Sequence, residues 1–228
     1  MRHLVYLLLR MSQINGFYVL MKTNEEVINR LLKYRNVMQK MKGLGFVRVF
    51  SDNLADAIGV SPSLVRKDFS MFDLTGNKRG GYQLETLVEK LNMILGKDKK
   101  QKVIIVGCGK MGKALMNYNG FPRVGIRVVA GFDSDPSLLE PDAPIPILHV
   151  SKMKDFIAEN KIKLAVLTVP EPSAQSIVDS LMRTSIRGIV NFAPISLKGS
   201  DTCLIHNINI EQEFEKLFYR IQFADRET

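Results

Sequence analysis

The sequence predicts an α/β protein of two domains: a winged helix-turn-helix domain at the N-terminal side, then a doubly wound parallel sheet with a further helix behind it. Three observations predict this. Between Ser51 and Phe72 two short helix patterns are separated by a glycine turn. At Lys102–Val106 a nearly all-apolar segment runs directly into Gly107-Cys108-Gly109-Lys110-Met111-Gly112. From there to Phe192, strand-like and amphipathic helical stretches alternate.

Composition sets the frame. The 228 residues are 46% hydrophobic and 24% charged, and mean hydropathy is zero. That excludes a disordered or fibrous chain. Two cysteines cannot build a disulfide scaffold, so a reducing, cytoplasmic location is expected. The net charge of +9 is lopsided. Residues 1–100 carry 17 Lys and Arg against 9 Asp and Glu, while residues 101–228 carry 15 against 14. A basic half beside a near-neutral half points to a polyanion-binding module joined to something else. In residues 1–20, Leu4–Leu9 is too short an apolar run to span a bilayer. No good small-residue cleavage site follows it. Met11 and Met21 are alternative starts, and residues 1–20 read as an extension that the fold does not need.

Residues 21–97 carry the DNA-binding pattern. Glu25–Lys42 is a helix, with Val27, Leu31, Tyr34, Met38 and Met41 at spacings of three and four, stopped by Gly43 and Gly45. Phe46–Phe50 is a linking piece. Ser51 is the expected N-cap of a short helix carrying Leu54, Ala55 and Ile58. After the turn at Gly59, Ser61 caps a second helix with Pro62 at its first position. In that helix Leu64, Val65, Phe69 and Phe72 face inward, leaving Ser61, Ser63, Arg66, Lys67 and Ser70 for a major groove. Gly76, Gly80 and Gly81 bracket Lys78-Arg79, a loop suited to place two cations near a DNA backbone. Leu84 to Leu95 is another amphipathic helix. The candidate DNA-contacting residues are Ser51, Ser61, Ser63, Arg66, Lys67, Ser70, Lys78, Arg79 and Tyr82.

Residues 98–205 read as a Rossmann-like dinucleotide-binding domain. Gly107 makes the tight turn, Gly109 lets backbone approach a pyrophosphate, and Gly112 lets helix and strand pack closely. A second strand, Ile126–Phe132, ends at Asp133, 21 positions after Gly112. An acid there accepts hydrogen bonds from ribose hydroxyls and repels a 2′-phosphate, which selects NAD(H). The alternative for Asp133 is a cap on the Asp135-Pro136 turn. Further strands are expected at 145–148, 164–169 and 188–192, with helices at 151–160 and 173–184. Thr168-Val169-Pro170 and Asn191-Phe192-Ala193-Pro194 sit at carboxyl strand ends, where open α/β sheets bind ligands. In the tail, 206–228, a helix from Asn209 to Phe223 carries Ile210, Phe214, Leu217, Phe218 and Ile221 on one stripe, which must pack on its own domain or on a twin subunit.

In this order the motifs resemble the Rex family of redox-sensing transcriptional repressors, over about residues 24–223. The resemblance rests on Ser61–Ser70 with Lys78-Arg79-Gly80-Gly81-Tyr82, on Val106–Gly112, on Asn117-Tyr118-Asn119-Gly120-Phe121 and on Asn191–Pro194. It implies a homodimer of winged-helix and Rossmann domains with the C-terminal helix exchanged between subunits. It also implies binding of double-stranded operator DNA when NAD(H) is oxidised, and release by NADH. In relatives an Arg in the glycine turn, an Asp before the last helix and a Tyr form a polar set at the dimer interface. The corresponding residues here are Lys110, Asn209 and Tyr118. Tyr118 therefore joins the cofactor set of 107–112, Asp133, 168–170 and 191–194.

Two function classes follow: a repressor sensing the NADH/NAD+ ratio without turnover, and a nicotinamide-dependent oxidoreductase with a basic appendage. The enzyme needs a proton-transfer group, and of His3, His149 and His206 only His149 lies near a strand end. No metal-ligand or Ser-His-Asp spacing is present. The sequence thus favours a sensor that is not an enzyme and holds no metal.

Overall fold

The structure, a computed structural model, describes residues 24–77 and 80–224. The expected extension at 1–20 and the Lys78-Arg79 pair lie outside the described residues. What is described divides into two compact units at Lys99–Lys100.

The first unit is helical. Helix α1 (Glu25–Gly43) starts where the Asn24 side chain accepts the Glu26 N–H, and it buries Val27, Leu31, Tyr34 and Met38, the expected stripe. Strand β1 (Arg48–Val49) precedes α2 (Ser51–Ile58) and α3 (Pro62–Met71); β2 (Tyr82–Gln83) leads into α4 (Leu84–Ile94). Ser61 caps α3 as expected, its Oγ accepting the Leu64 N–H at 3.2 Å. Ser51 does not cap α2. It is the first helical residue, and the cap is Phe50, whose N–H donates to Asn53 Oδ1 at 3.1 Å. An amide three residues inside the helix serves the start as well as a hydroxyl before it. Gly59, at φ +72°, ends α2 in the left-handed region that glycine enters without strain. β1 and β2 pair antiparallel, Val49 opposite Tyr82, a ladder hidden in what reads as a linker. Two residues are too few to show a period.

The second unit holds one six-stranded parallel sheet. Its strands are β3 (Gln101–Val106), β4 (Ile126–Asp133), β5 (Ile147–His149), β6 (Leu164–Leu167), β7 (Gly188–Asn191) and β8 (Leu204–Asn207), in the order β5-β4-β3-β6-β7-β8. The helices are α5 (Lys110–Met116), α6 (Met153–Asn160), α7 (Glu171–Met182) and α8 (Ile210–Ala224). The chain leaves β3 toward β4 on one side and later returns to β6 on the other, so the switch point lies at the end of β3. Alternation along the strands splits the core. Ile104, Val106, Ala130 and Phe132 pack with Met153, Ile157, Val178 and Leu181. Val103, Ile105 and Val128 pack with Met116.

β8 has no counterpart in the sequence reading, and it spans the 205/206 point at which the tail was expected to begin. It is an edge strand, mostly exposed, so it lacks the apolar run that marks its neighbours. What ties it down is polar. Asn191, fully buried, donates from Nδ2 to Ile195 O and to Asn207 Oδ1, both at 2.8 Å, and accepts the Ala193 N–H at 2.9 Å. Asn207 completes the knot by bonding both backbone groups of Leu197. Replacing Asn191 by Ala leaves the buried Ala193 N–H and the Ile195 carbonyl without their side-chain partner. It is expected to lower unfolding stability by about 2–4 kcal/mol, read by urea denaturation.

Candidate dinucleotide cleft and nucleic-acid interface

The cleft is built by backbone before side chains. β3 ends at Val106, and Gly107 turns the chain at φ +93° while its N–H donates to Phe132 O at 2.8 Å. A Cβ on Gly107 would stand 2.7 Å from the Thr168 carbonyl, and one on Gly112 would run into the Gly107 carbonyl. The glycines therefore let three strand ends and the start of α5 converge. Thr168, just beyond β6, donates from Oγ1 to Gly107 O at 2.6 Å and so fastens that convergence. α5 begins at Lys110 after Gly109. The N–H groups of its first turn have no acceptor within the helix, which suits them to an anion.

Asp133 sits at the end of β4 with both oxygens engaged. Oδ2 accepts the Cys108 N–H at 2.6 Å, and Oδ1 accepts the Asp135 N–H at 3.0 Å. The turn-capping alternative is thus true, and it accounts for only one oxygen. The other braces the glycine turn. A carboxylate offers about four lone-pair sites, so acceptor capacity remains for ribose hydroxyls. Cys108 is fully buried, and burial with the Asp133 charge beside it pushes its thiol up to about 11. At neutral pH it is a small apolar filler and not a reactive thiolate.

Around this turn Gly109 and Lys110 are exposed, Met111, Thr168 and Val169 half-buried, and Pro170 exposed at the start of α7. Phe192 is half-buried, Ala193 buried and Pro194 exposed. The Asn191 side chain points into its own loop, so it acts on the cleft only through the backbone it holds. Tyr118 is exposed and stacks edge-on with Phe121 at 5.1 Å. Asn209 caps α8, accepting the Gln212 N–H at 3.0 Å. Within one chain, among the described residues, no hydrogen bond or ion pair links Lys110, Tyr118 and Asn209. His149 is a helix cap: its Nδ1 accepts the Ser151 N–H at 3.3 Å and lies 2.8 Å from the Ser151 hydroxyl.

In the first unit the exposed face of α3 carries Ser61, Ser63, Arg66, Lys67 and Ser70. Arg66 Nη1 donates to Ser51 Oγ at 2.9 Å, which joins two of the expected DNA-contacting residues. Tyr82 is placed differently. Its ring packs edge-on against Phe69 at 5.1 Å and is half-buried, so it supports α3 from within. One residue escaped sequence reasoning. Asp68, on α3, is buried and takes a two-pronged ion pair from Arg30 on α1, at 2.7 and 2.8 Å, with the Tyr34 hydroxyl at 3.0 Å. An acid in a helix next to Arg66-Lys67 reads as surface, and only its position three residues after Val65, on the buried face, signals otherwise.

A sheet of this order with a glycine turn at the switch point and an acid at the end of the next strand is a dinucleotide-binding domain. Joined to a helix-turn-helix unit with a basic exposed helix, it defines a nucleotide-responsive, DNA-binding regulator. Comparison with known proteins agrees. Residues 98–195 match the CoA-binding-domain family model, and residues 22–70 match a model for a DNA-binding protein N-terminus. The chain is 36% identical to the redox-sensing transcriptional repressor Rex of Exiguobacterium sp., covering 88% of this chain and 93% of that one. It is 33% identical to Rex of Thermoanaerobacter pseudethanolicus over 88% and 90%. A crystal structure of RSP in complex with β-NAD+ and operator DNA matches at a TM-score of 0.84 and 32% identity, over 89% of this chain and 94% of that one. RSP with β-NADH matches at 0.76 and 32% identity, over 90% and 96%. The chain belongs to the Rex family of redox-sensing transcriptional repressors.

Because Asp133 carries both the brace on the turn and the expected ribose contact, Asp133→Ala is expected to weaken NADH binding about tenfold or more, read by fluorescence titration.

Proposed function

We propose that this chain is a transcriptional repressor that binds operator DNA as a homodimer when NAD(H) is mostly oxidised and leaves it when NADH binds. One observation carries the reading: the likeness to RSP, solved with β-NAD+ and operator DNA, extends over both units of the chain. The pyrophosphate is taken by the turn at Gly107–Gly112 and the adenosine ribose by Asp133, with the nicotinamide reaching the strand ends at Thr168–Pro170 and Asn191–Pro194. Oxidised and reduced nicotinamide differ by one charge, and the half-buried, apolar Phe192 favours the neutral, reduced ring. DNA is met by Ser61, Ser63, Arg66, Lys67 and Ser70, with Ser51 holding Arg66 and the Lys78-Arg79 loop reaching the backbone. The domain limits are the expected 21–97 and a second domain from 98, which β8 (Leu204–Asn207) carries past 205 to 207, so that the tail is 208–228.

The homodimer rests on α8. None of its residues is buried, and Ile210, Phe214, Leu217, Phe218 and Ile221 all stand exposed along one stripe. Such a stripe needs a cover, and the exchanged helix implied by the family supplies one. Exchange would also bring Asn209 of one subunit toward Lys110 and Tyr118 of another. Lys is a point charge without the planar fork of Arg, and Asn cannot pair with it as a carboxylate does. The coupling between nucleotide and DNA must then lean on other contacts. No helix among the described residues is long and apolar enough to cross a membrane. A repressor acts where its operator DNA lies, and on that ground we place the protein in the cytoplasm. The oxidoreductase alternative is disfavoured by the relatives, which are repressors; His149, its one candidate proton-transfer group, has Nδ1 engaged at the start of the short turn of helix at Val150–Lys152.

The decisive experiment is a nucleotide titration of the DNA complex, using a duplex selected by the protein from a random library. Sensing requires that NADH release the duplex at concentrations where NAD+ does not; equal effects of the two would remove redox sensing while leaving DNA binding intact. Leu217→Asp is expected to convert the dimer to monomer in sedimentation and to abolish tight duplex binding with it.

A further inference from the structure

We propose that Asp68 is the positioning residue of operator recognition: through Arg30 and Tyr34 it sets the rotation of α3 about its own axis, and so aims Ser63, Arg66 and Ser70 at the bases. This rests on the operator-binding reading above. Asp68 is 1% exposed, and with Arg35 and Asn191 it is one of three polar residues buried among the described residues. Both its oxygens are engaged, Oδ2 by Arg30 Nε at 2.7 Å and by the Tyr34 hydroxyl at 3.0 Å, and Oδ1 by Arg30 Nη2 at 2.8 Å. The Tyr34 ring meets Phe69 edge-on, one residue further along α3.

Burying a carboxylate is costly even when it is paired, and an apolar side chain would glue α3 to α1 as well. What the two-pronged pair adds is direction. A planar guanidinium bonded at two nitrogens admits one angle of approach, where a leucine would admit a range. At about 100° per residue, Ser63, Arg66 and Ser70 all lie within about 40° of the side of α3 opposite Asp68. On that side Arg66 is itself tied to Ser51 on α2. α3 is therefore oriented from two helices, by one buried pair and one exposed bond. A rotation of about 20° moves a side-chain tip about 2 Å, enough to break hydrogen bonds to base edges. Contacts from flexible lysines to phosphates survive such a shift.

That difference separates positioning from two rival accounts. If Asp68 acted only as charge, Asp68→Asn would strengthen binding to every duplex, because it removes a negative group from the DNA-facing helix. If it acted only as structural glue, all DNA binding would fall together with folding. Positioning demands selective loss. The test uses the full-length protein in fluorescence anisotropy with the library-selected duplex and with a scrambled duplex of the same length and composition. For Asp68→Asn we expect affinity for the selected duplex to drop about tenfold or more while affinity for the scrambled one stays within about threefold. NADH binding, which the second unit carries, should be unchanged. Tyr34→Phe, which keeps the ring on Phe69 and deletes one hydrogen bond, is the variant that must remain folded; it should lose discrimination in the same sense by a smaller factor. Unchanged or tighter binding to the selected duplex, or equal loss on both, overturns the inference. A wild-type protein that prefers neither duplex overturns the operator-binding reading and this inference with it.

Discussion

The structure of the second unit hangs on one close approach. The backbone at Gly107 passes so near Thr168 and Gly112 that no side chain fits at either glycine. Everything useful about the cleft follows from that contact. It brings the start of α5 onto the end of β3 and lets the Thr168 hydroxyl reach the Gly107 carbonyl. It also sets the Cys108 N–H against Asp133. A site for a pyrophosphate is a site where backbone dipoles converge without intervening side chains, and only glycine permits it.

Polar groups buried on purpose do the corresponding work elsewhere. Buried Asn191, bonded to the exposed Asn207, ties an edge strand to the loop that borders the cleft. Asp68 stitches α3 to α1. In each case the apolar core supplies the bulk of the stability, and the buried polar group supplies an angle or a register that apolar packing leaves loose.

The covered and uncovered surfaces tell the same story at the next level. α8 is well formed, capped by Asn209, and yet buries nothing in its own chain. Its exposed apolar stripe needs a cover, which the proposed second copy would supply.

Much was legible in the sequence, because local rules suffice for it. The stripe of α1, the Ser61-Pro62 start of α3, the apolar β3 running into the glycines, and the acid at the end of β4 are each set by neighbours within a few residues. The resemblance to Rex needed no more than the order of those motifs. What the sequence left undecided was long-range. The pairing of β1 with β2 depends on partners 33 and 35 residues apart and that of β8 with β7 on partners 16 apart, and neither β1 nor β8 is long or apolar enough to announce itself. Tyr82 looks like a loop residue until Phe69 stands beside it, and Asp68 looks like surface until Arg30 arrives from another helix. Periodicity records which face of an element is buried. Only the tertiary structure decides which distant group meets that face, because a hydrogen bond's partner is chosen by geometry in space and leaves no period in the chain.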